Sequence, residues 1–294
     1  MKRLLTAGLL LVTLVSVSAQ GLKYPPEFVG ARVEVYKHVG DTTLSLYLFE
    51  PASGLKANRP AIVFFFGGGW TGGSPAQFEQ QCRHLASRGM VAITADYRVA
   101  SRHQVKPTAC VADAKSAIRW VRQNATRLGI DPDRIAAGGG SAGGHLAAAV
   151  ATLRGFDEPG EDLKISPVPN ALALFNPALV LAPMEGRDVE SSGARLTADR
   201  MGTDPKNLSP AHHVKPGMPP TIIFHGQADT TVPYATAEAF ARVMKAEGNR
   251  CELMGYPGQP HGFFNYGRPG GRYAETLAAT DQFFVSLGWL PARK

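Results

Sequence analysis

Cysteine is scarce in this chain, with Cys82, Cys110 and Cys251 making up the whole supply. So small and odd a set excludes a disulfide scaffold and leaves room for one internal bridge at most, for which Cys82 and Cys110 are the expected pair. A Cys/His metal centre is not expected either, because Cys82 and His84, the close pair, would point to different faces of one helix. Long apolar runs are also lacking: Leu4–Val17 falls short of the ~20 residues that span a bilayer. Blocks of like charge are absent. Lys and Arg outnumber Asp and Glu by 31 to 24, but the excess is scattered, which argues against a nucleic-acid partner. No internal repeat, linker or low-complexity tract divides the sequence, so one domain is the default.

What is present begins with an export-type leader. Lys2 and Arg3 precede the apolar run and Val17-Ser18-Ala19 resembles a small-residue cleavage site, so residues 1–19 are expected to be a signal peptide. The mature chain is then periplasmic or extracellular, without stable membrane association. An uncleaved anchor is the competing reading, and no cysteine stands at the cleavage site to accept a lipid. Setting aside Lys2 and Arg3 lowers the formal charge from +7 to +5. Residues 20–294 suffice for a single large domain with a well-buried core.

Two alternating segments, Val33–Val39 and Leu44–Phe49, turn at Gly40-Asp41 and predict an antiparallel hairpin at a sheet edge. Four continuous apolar runs, Ala61–Phe66, Met90–Ala95, Ala171–Phe175 and Thr221–Phe224, have the pattern of parallel strands buried on both faces. Helices are predicted over 75–88 with Ser74 as N-cap, over 109–128, 142–153 and 234–247, and over 272–287. Strands alternating with helices give an α/β fold with a mostly parallel central sheet. Residues 182–220, rich in Pro, Gly, Ser and charge, interrupt that rhythm as a small insertion over the site or a plain surface excursion.

The sequence Gly139-Gly140-Ser141-Ala142-Gly143 follows the strand-like run that begins at Arg134 and matches G-x-S-x-G. In that motif a strand turns sharply into a helix and presents the serine on a strained turn. Gly-Ser-Gly runs also make ordinary turns, so the surrounding order decides. Asp229 lies just past the Thr221–Phe224 strand and His261 just past another, Glu252–Tyr256. Serine, acid and histidine therefore follow in the order acyl transfer needs on such a sheet: Ser141 as nucleophile, His261 as base, Asp229 to orient the base. Asp229 would otherwise be a turn-former before Thr230 and Thr231, and His261 a solvated loop residue. Oxyanion donors are expected from the backbone of Gly68 and Gly69, after the first apolar strand, and of Ala142 at a helix start. Trp70 either walls the substrate pocket or packs in the core. His145 and His225 read as structural, and His212-His213 lacks nearby carboxylates for a metal.

These segments, Phe66–Trp70, Asp96-Tyr97-Arg98, Asp113–Trp120, Gly139–Leu146, His225–Asp229 and His261-Gly262-Phe263, resemble the α/β-hydrolase esterases of the hormone-sensitive-lipase and polysaccharide-esterase type. The resemblance covers about residues 60–264 and implies the same triad and oxyanion loop, with ester hydrolysis and no cofactor. Acetylxylan and feruloyl esterases belong to that group, so short acyl or feruloyl esters of carbohydrates are the implied substrates. Two positions depart from the family pattern. Phe66 replaces the usual histidine before the glycine triplet, and Gly140 stands where many relatives carry an acidic residue. The long N-terminal cap of lipase-like members is not expected, since the hairpin follows soon after the leader. Three alternatives remain open. A prolyl-oligopeptidase-like peptidase shares the order, but its propeller has no room; a dienelactone-hydrolase-like enzyme is expected to use cysteine where Ser141 stands. A non-catalytic binding protein on this fold would be expected to have lost a triad member.

Overall fold

The computed structural model describes residues 24–52, 58–185 and 196–292. The expected leader, residues 1–19, lies outside them, as do residues 186–195 of the insertion. Eight strands form one sheet: β1 (Arg32–Val39), β2 (Thr42–Phe49), β3 (Arg59–Phe65), β4 (Val91–Ala95), β5 (Ile130–Gly140), β6 (Ala171–Phe175), β7 (Thr221–Gly226) and β8 (Cys251–Tyr256). Their spatial order is β1-β2-β4-β3-β5-β6-β7-β8. The β1–β2 and β2–β4 pairs are antiparallel and the rest parallel. The hairpin takes one edge, where β1 exposes Arg32, Val33, Val35 and His38; β2 lies between β1 and β4 and is buried over Leu46–Phe49 despite its alternating sequence, and the continuous apolar runs fill the centre.

Strand periodicity sorts the core into two layers. On β3, Ala61, Val63 and Phe65 face one way with α3 (Pro107–Gln123), α5 (Ala142–Thr152) and α7 (Tyr234–Ala246). Ile62 and Phe64 face the other, against α1 (Glu79–Ser87) and α8 (Tyr273–Ser286). This separation rules out the one bridge that Cys82 and Cys110 could have made. Cys82 on α1 and Cys110 on α3 are free, buried thiols on opposite faces of the sheet, and Cys251 is free as well.

The predicted helices are observed with local differences. The 75–88 segment opens as a 3-10 turn at Pro75–Phe78, with Ser74 Oγ accepting from the Ala76 N–H as the expected cap. The 109–128 segment begins earlier, with Pro107 at a first-turn position, and breaks at Asn124 into α3 and α4 (Ala125–Leu128). Asn124 donates its side-chain amide to Trp120 O at 2.9 Å, a local bond that competes with helix continuation. A short α2 (Ala100–His103) carried no sequence signal. Within the insertion, α6 (Ala198–Met201) and two 3-10 turns, Pro205–Leu208 and Pro210–His213, dock through buried Met201 and Leu208.

The Asp96-Tyr97-Arg98 and Asp113 motifs meet in a buried ion cluster. Arg98 grips both carboxylate oxygens of Asp113 (Nη2–Oδ1 2.7 Å, Nε–Oδ2 2.8 Å), and Lys37 reaches Asp113 at 2.7 Å and Glu158 at 2.6 Å. The cluster ties β1, the strand end after β4, α3 and the loop at Glu158 together behind the sheet. Asp113 has no solvent exposure, so its charge depends wholly on these partners.

Candidate active site

Ser141 occupies the single residue between β5 and α5, at φ 54° and ψ −118°. A non-glycine residue rarely holds this conformation, and it persists here because the flanks permit no other path. A Cβ at Gly143 would lie 2.0 Å from Phe65 O, and one at Gly139 would lie 2.4 Å from Gly143 O and 2.6 Å from Phe65 O. The helix therefore sits directly on β3, and glycine is required at both ends of the motif.

Asp229 lies beyond the C-terminal end of β7, where sites on open parallel sheets gather. Its Oδ1 accepts the N–H groups of Thr231 and Val232, each at 2.9 Å, so it is a turn-former. Its Oδ2 meets His261 Nδ1 at 2.7 Å and accepts from Asn176 Nδ2 at 2.8 Å, with His225 Nε2 at 3.4 Å. Burial pushes the carboxyl pKa up, but hydrogen bonds from His225, His261 and the Val232 N–H outweigh it and hold the group well below the usual carboxylate range. With Nδ1 engaged by a carboxylate, the ring is held in the tautomer whose Nε2 is free to accept a proton.

His261 is carried on the loop after β8, which two contacts fix to Asn176 and to Gly140, the residue before Ser141. Gly262 N donates to Asn176 Oδ1 at 3.3 Å, and the Phe264 ring packs against Gly140, where a Cβ would come within 2.4 Å of it. This answers the departure at position 140: an aromatic ring fills the volume that an acidic side chain would need. Phe264 belongs to a ring cluster with Phe78 and Phe175.

The glycine loop lies across the same point. A Cβ on Gly67 would stand 3.3 Å from Ser141 Cβ and 2.9 Å from Gly140 O. Gly68 (φ 126°) and Gly69 (φ 62°) adopt backbone angles that favour glycine. Among the described residues their N–H groups donate to no protein acceptor, whereas Gly68 O closes a turn with Thr71 N and Gly72 N. Ala142 sits at the first position of α5, whose N–H has no partner within the helix. Phe66, in place of the family histidine, stacks on Tyr97 at 4.1 Å, and Tyr97 Oη donates to Phe66 O at 2.7 Å.

Trp70 resolves to the core. It is buried, and its Nε1 donates to His145 Nδ1 at 3.2 Å, while His145 Nε2 donates to Leu208 O at 2.8 Å. The reading of Trp70 as a pocket wall is therefore set aside, and His145 is a structural link from α5 to the insertion. From that insertion Arg200 Nη2 reaches Gly69 O at 3.4 Å. His212 and His213 point to separate carbonyls, of Pro183 and Lys206. Among the described residues, no group of three or more His, Cys, Asp or Glu converges as a metal site. No helix among them is long and apolar enough to cross a membrane.

Sequence reasoning missed Asn176, Gln77 and Asn265. Asn176 had a usable signal, as a polar residue directly after an apolar strand at the edge where sites gather. Gln77 and Asn265 had none, since their roles arise from contacts between distant loops. A cavity of about 410 Å³ opens beside the site, lined by Gly67, Gly68, Gly73, Ser74, Ala76 and Gln77.

Residues 46–244 match the BD-FAE family, and residues 202–290 match the dienelactone hydrolase family. The second match takes in Asp229 and His261 but not position 141. Carboxylesterase NlhH of Mycobacterium tuberculosis is 31% identical over 261 residues, covering 83% of this chain and 80% of its own. Among solved structures, Thermogutta terrifontis esterase 2 phosphonylated by sarin aligns with a TM-score of 0.89 at 53% identity, over 92% of this chain and all of that one. The propionate-bound form of the same esterase aligns at 0.87 with 54% identity, over 93% of this chain. The chain thus has the α/β-hydrolase fold and belongs to the BD-FAE family, among carboxylic ester hydrolases.

Proposed function

We propose that this protein hydrolyses esters of short acyl groups through an acyl-enzyme on Ser141. Ser141 Oγ attacks the ester carbonyl, and His261 Nε2 takes its proton and delivers it to the departing alcohol. Asp229 holds the imidazole and stabilises its cation. Gly68, Gly69 and Ala142 donate their N–H groups to the oxyanion. Water then repeats the sequence on the acyl-enzyme, releasing the acid and restoring Ser141.

The observation that carries this reading is the 2.7 Å contact between His261 Nδ1 and Asp229 Oδ2, with the loop of His261 packed through Phe264 against Gly140, beside the strained Ser141 turn. Support for short acyl groups comes from the Thermogutta terrifontis relative, which is known in propionate-bound and butyrate-bound forms. Each buried methylene is worth about 0.8 kcal/mol, so a site that cannot enclose a long chain gains nothing from one. The alcohol is proposed to be a carbohydrate. The expected export signal at residues 1–19 would fit a polymer substrate outside the cytoplasm, and residues 196–220 of the insertion, where Arg200 reaches Gly69, are proposed to border the site.

The test has two parts. A fluorophosphonate should label the wild-type protein and not Ser141→Ala; equal labelling of both would remove Ser141 from the mechanism. With p-nitrophenyl esters, kcat/KM should peak at short chains, and acetylated or feruloylated xylan fragments should release acid. Rates that rise to long chains, with no release from glycans, would point to a lipase-like pocket instead.

A further inference from the structure

A directional chain of hydrogen bonds joins the glycine loop to the histidine loop through two side-chain amides. The Gly67 N–H donates to Gln77 Oε1 at 2.6 Å, and Gln77 Nε2 donates to Asn265 Oδ1 at 2.9 Å. Asn265 Nδ2 then donates to Gly262 O at 2.9 Å. The chain starts at a backbone donor and ends at a backbone acceptor, so the orientation of both amides is forced. Gly262 is also the residue whose N–H binds Asn176, the partner of Asp229.

We propose that Gln77 is a positioning residue that sets the oxyanion loop and, through Asn265, couples it to the loop of His261. This rests on the reading of Ser141 as nucleophile. The physical need is clear: Gly67, Gly68, Gly69, Gly72 and Gly73 leave the loop with little intrinsic rigidity, and Phe66 offers no polar side chain to hold it. The Phe66–Gly67 peptide is instead pinned at both ends, its carbonyl by Tyr97 Oη and its N–H by Gln77. Engaging the Gly67 N–H removes it as an oxyanion donor and leaves Gly68 and Gly69 to face the substrate. Gln77 is itself held in the Pro75–Phe78 turn by a 3.2 Å bond from its N–H to Ser74 O.

Gln77 touches no reacting atom, so its effect should appear in transition-state stabilisation rather than in substrate affinity. Gln77→Met should lower kcat by about 10- to 100-fold, less than the roughly 100- to 1,000-fold for outright loss of an oxyanion donor because the donors are misplaced and not removed, with KM changed less than about threefold. Affinity for a trifluoromethyl ketone, which forms a tetrahedral adduct, should fall in proportion to kcat. Gln77→Glu supplies a readout that a purely structural role would not move. When protonated, the carboxyl group introduced by Gln77→Glu accepts from Gly67 and donates to Asn265 as the amide does, whereas when ionised it cannot donate and places a charge near the oxyanion. The ratio of Gln77→Glu to wild-type kcat should therefore rise as pH falls from 8 to 5. A Gln77→Met kcat within twofold of wild type, a loss confined to KM, or a Gln77→Glu ratio flat with pH would each overturn the proposal; if Gln77→Met does not fold, the Gln77→Glu profile decides alone. An active Ser141→Ala would bring down both readings. An inactive Ser141→Ala beside an unaffected Gln77→Met would bring down this one only.

Discussion

Asn176 donates Nδ2 to Asp229 Oδ2 at 2.8 Å from a backbone held at φ 43°, while its Oδ1 accepts the Gly262 N–H. One fully buried amide thus touches the loops of both the acid and the histidine. Positive φ is tolerated by Asn better than by most residues, which accounts for the residue type.

Asn176→Ala should therefore do two separable things. It strips a donor from a buried carboxylate, at a cost of about 1.5–3 kcal/mol for a bond to a charged group, and it frees the Gly262 peptide. We expect a lower unfolding midpoint in urea and a fall of at least about tenfold in kcat/KM if base positioning is lost. Retention of full activity would mean that Asp229 and His261 alone set the geometry.

Gly140→Asp, which restores the residue type of many relatives, is expected to destabilise this protein. Its Cβ would fall within 2.4 Å of the Phe264 ring, inside the cluster with Phe78 and Phe175. Overpacking of this kind costs about 1–3 kcal/mol, and a carboxylate beside the rings adds to it. Pairing it with Phe264→Ala should recover part of the loss, and a double-mutant cycle on thermal midpoints measures the coupling.

Acid should weaken the link at His145. Burial depresses its pKa to about 4, and protonation at Nδ1 would set two N–H groups, those of His145 and Trp70, against each other. Between about 4 and the ordinary ~6.5 the unfolded chain binds the extra proton, so this stabilising contribution is complete above the upper limit and is lost as pH falls through the window. His145→Gln, able to accept from Trp70 and donate to Leu208, should shift the acid unfolding midpoint downward. Asp96 has the opposite sign. Burial raises its pKa to about 6, so its folded form gains protons first and its contribution is lost as pH rises from about 4 to 6. Asp96→Asn should make thermal stability flatter across that range.

Asp113→Ala leaves Lys37 and Arg98 buried with Glu158 as their remaining carboxylate. Breaking a buried ion cluster from one side costs about 3–5 kcal/mol, far more than loss of an exposed pair. Chemical denaturation should register this loss. A change below about 1 kcal/mol would show that water rehydrates the two cations.

Local patterns along the chain were enough for the fold class and for the order of the reactive residues, whereas the spatial order of the strands came from the structure. Edge alternation in β1 and β2, continuous apolar runs in the buried strands and the glycines around Ser141 are all local patterns, each set by one residue's own chain neighbours. The tertiary structure decided everything that depends on which faces meet. Cys82 and Cys110 are close in sequence, yet the sheet stands between them. Trp70 follows the glycine loop, yet turns onto His145 and into the core. The space beside Gly140 is filled by Phe264 from the far end of the chain, and Gly67 is held by Gln77, which Asn265 in turn joins to the histidine loop. Packing partners of this kind leave no periodicity or spacing to read, because a hydrogen bond or ring contact between distant loops constrains each residue only through the fold that brings them together.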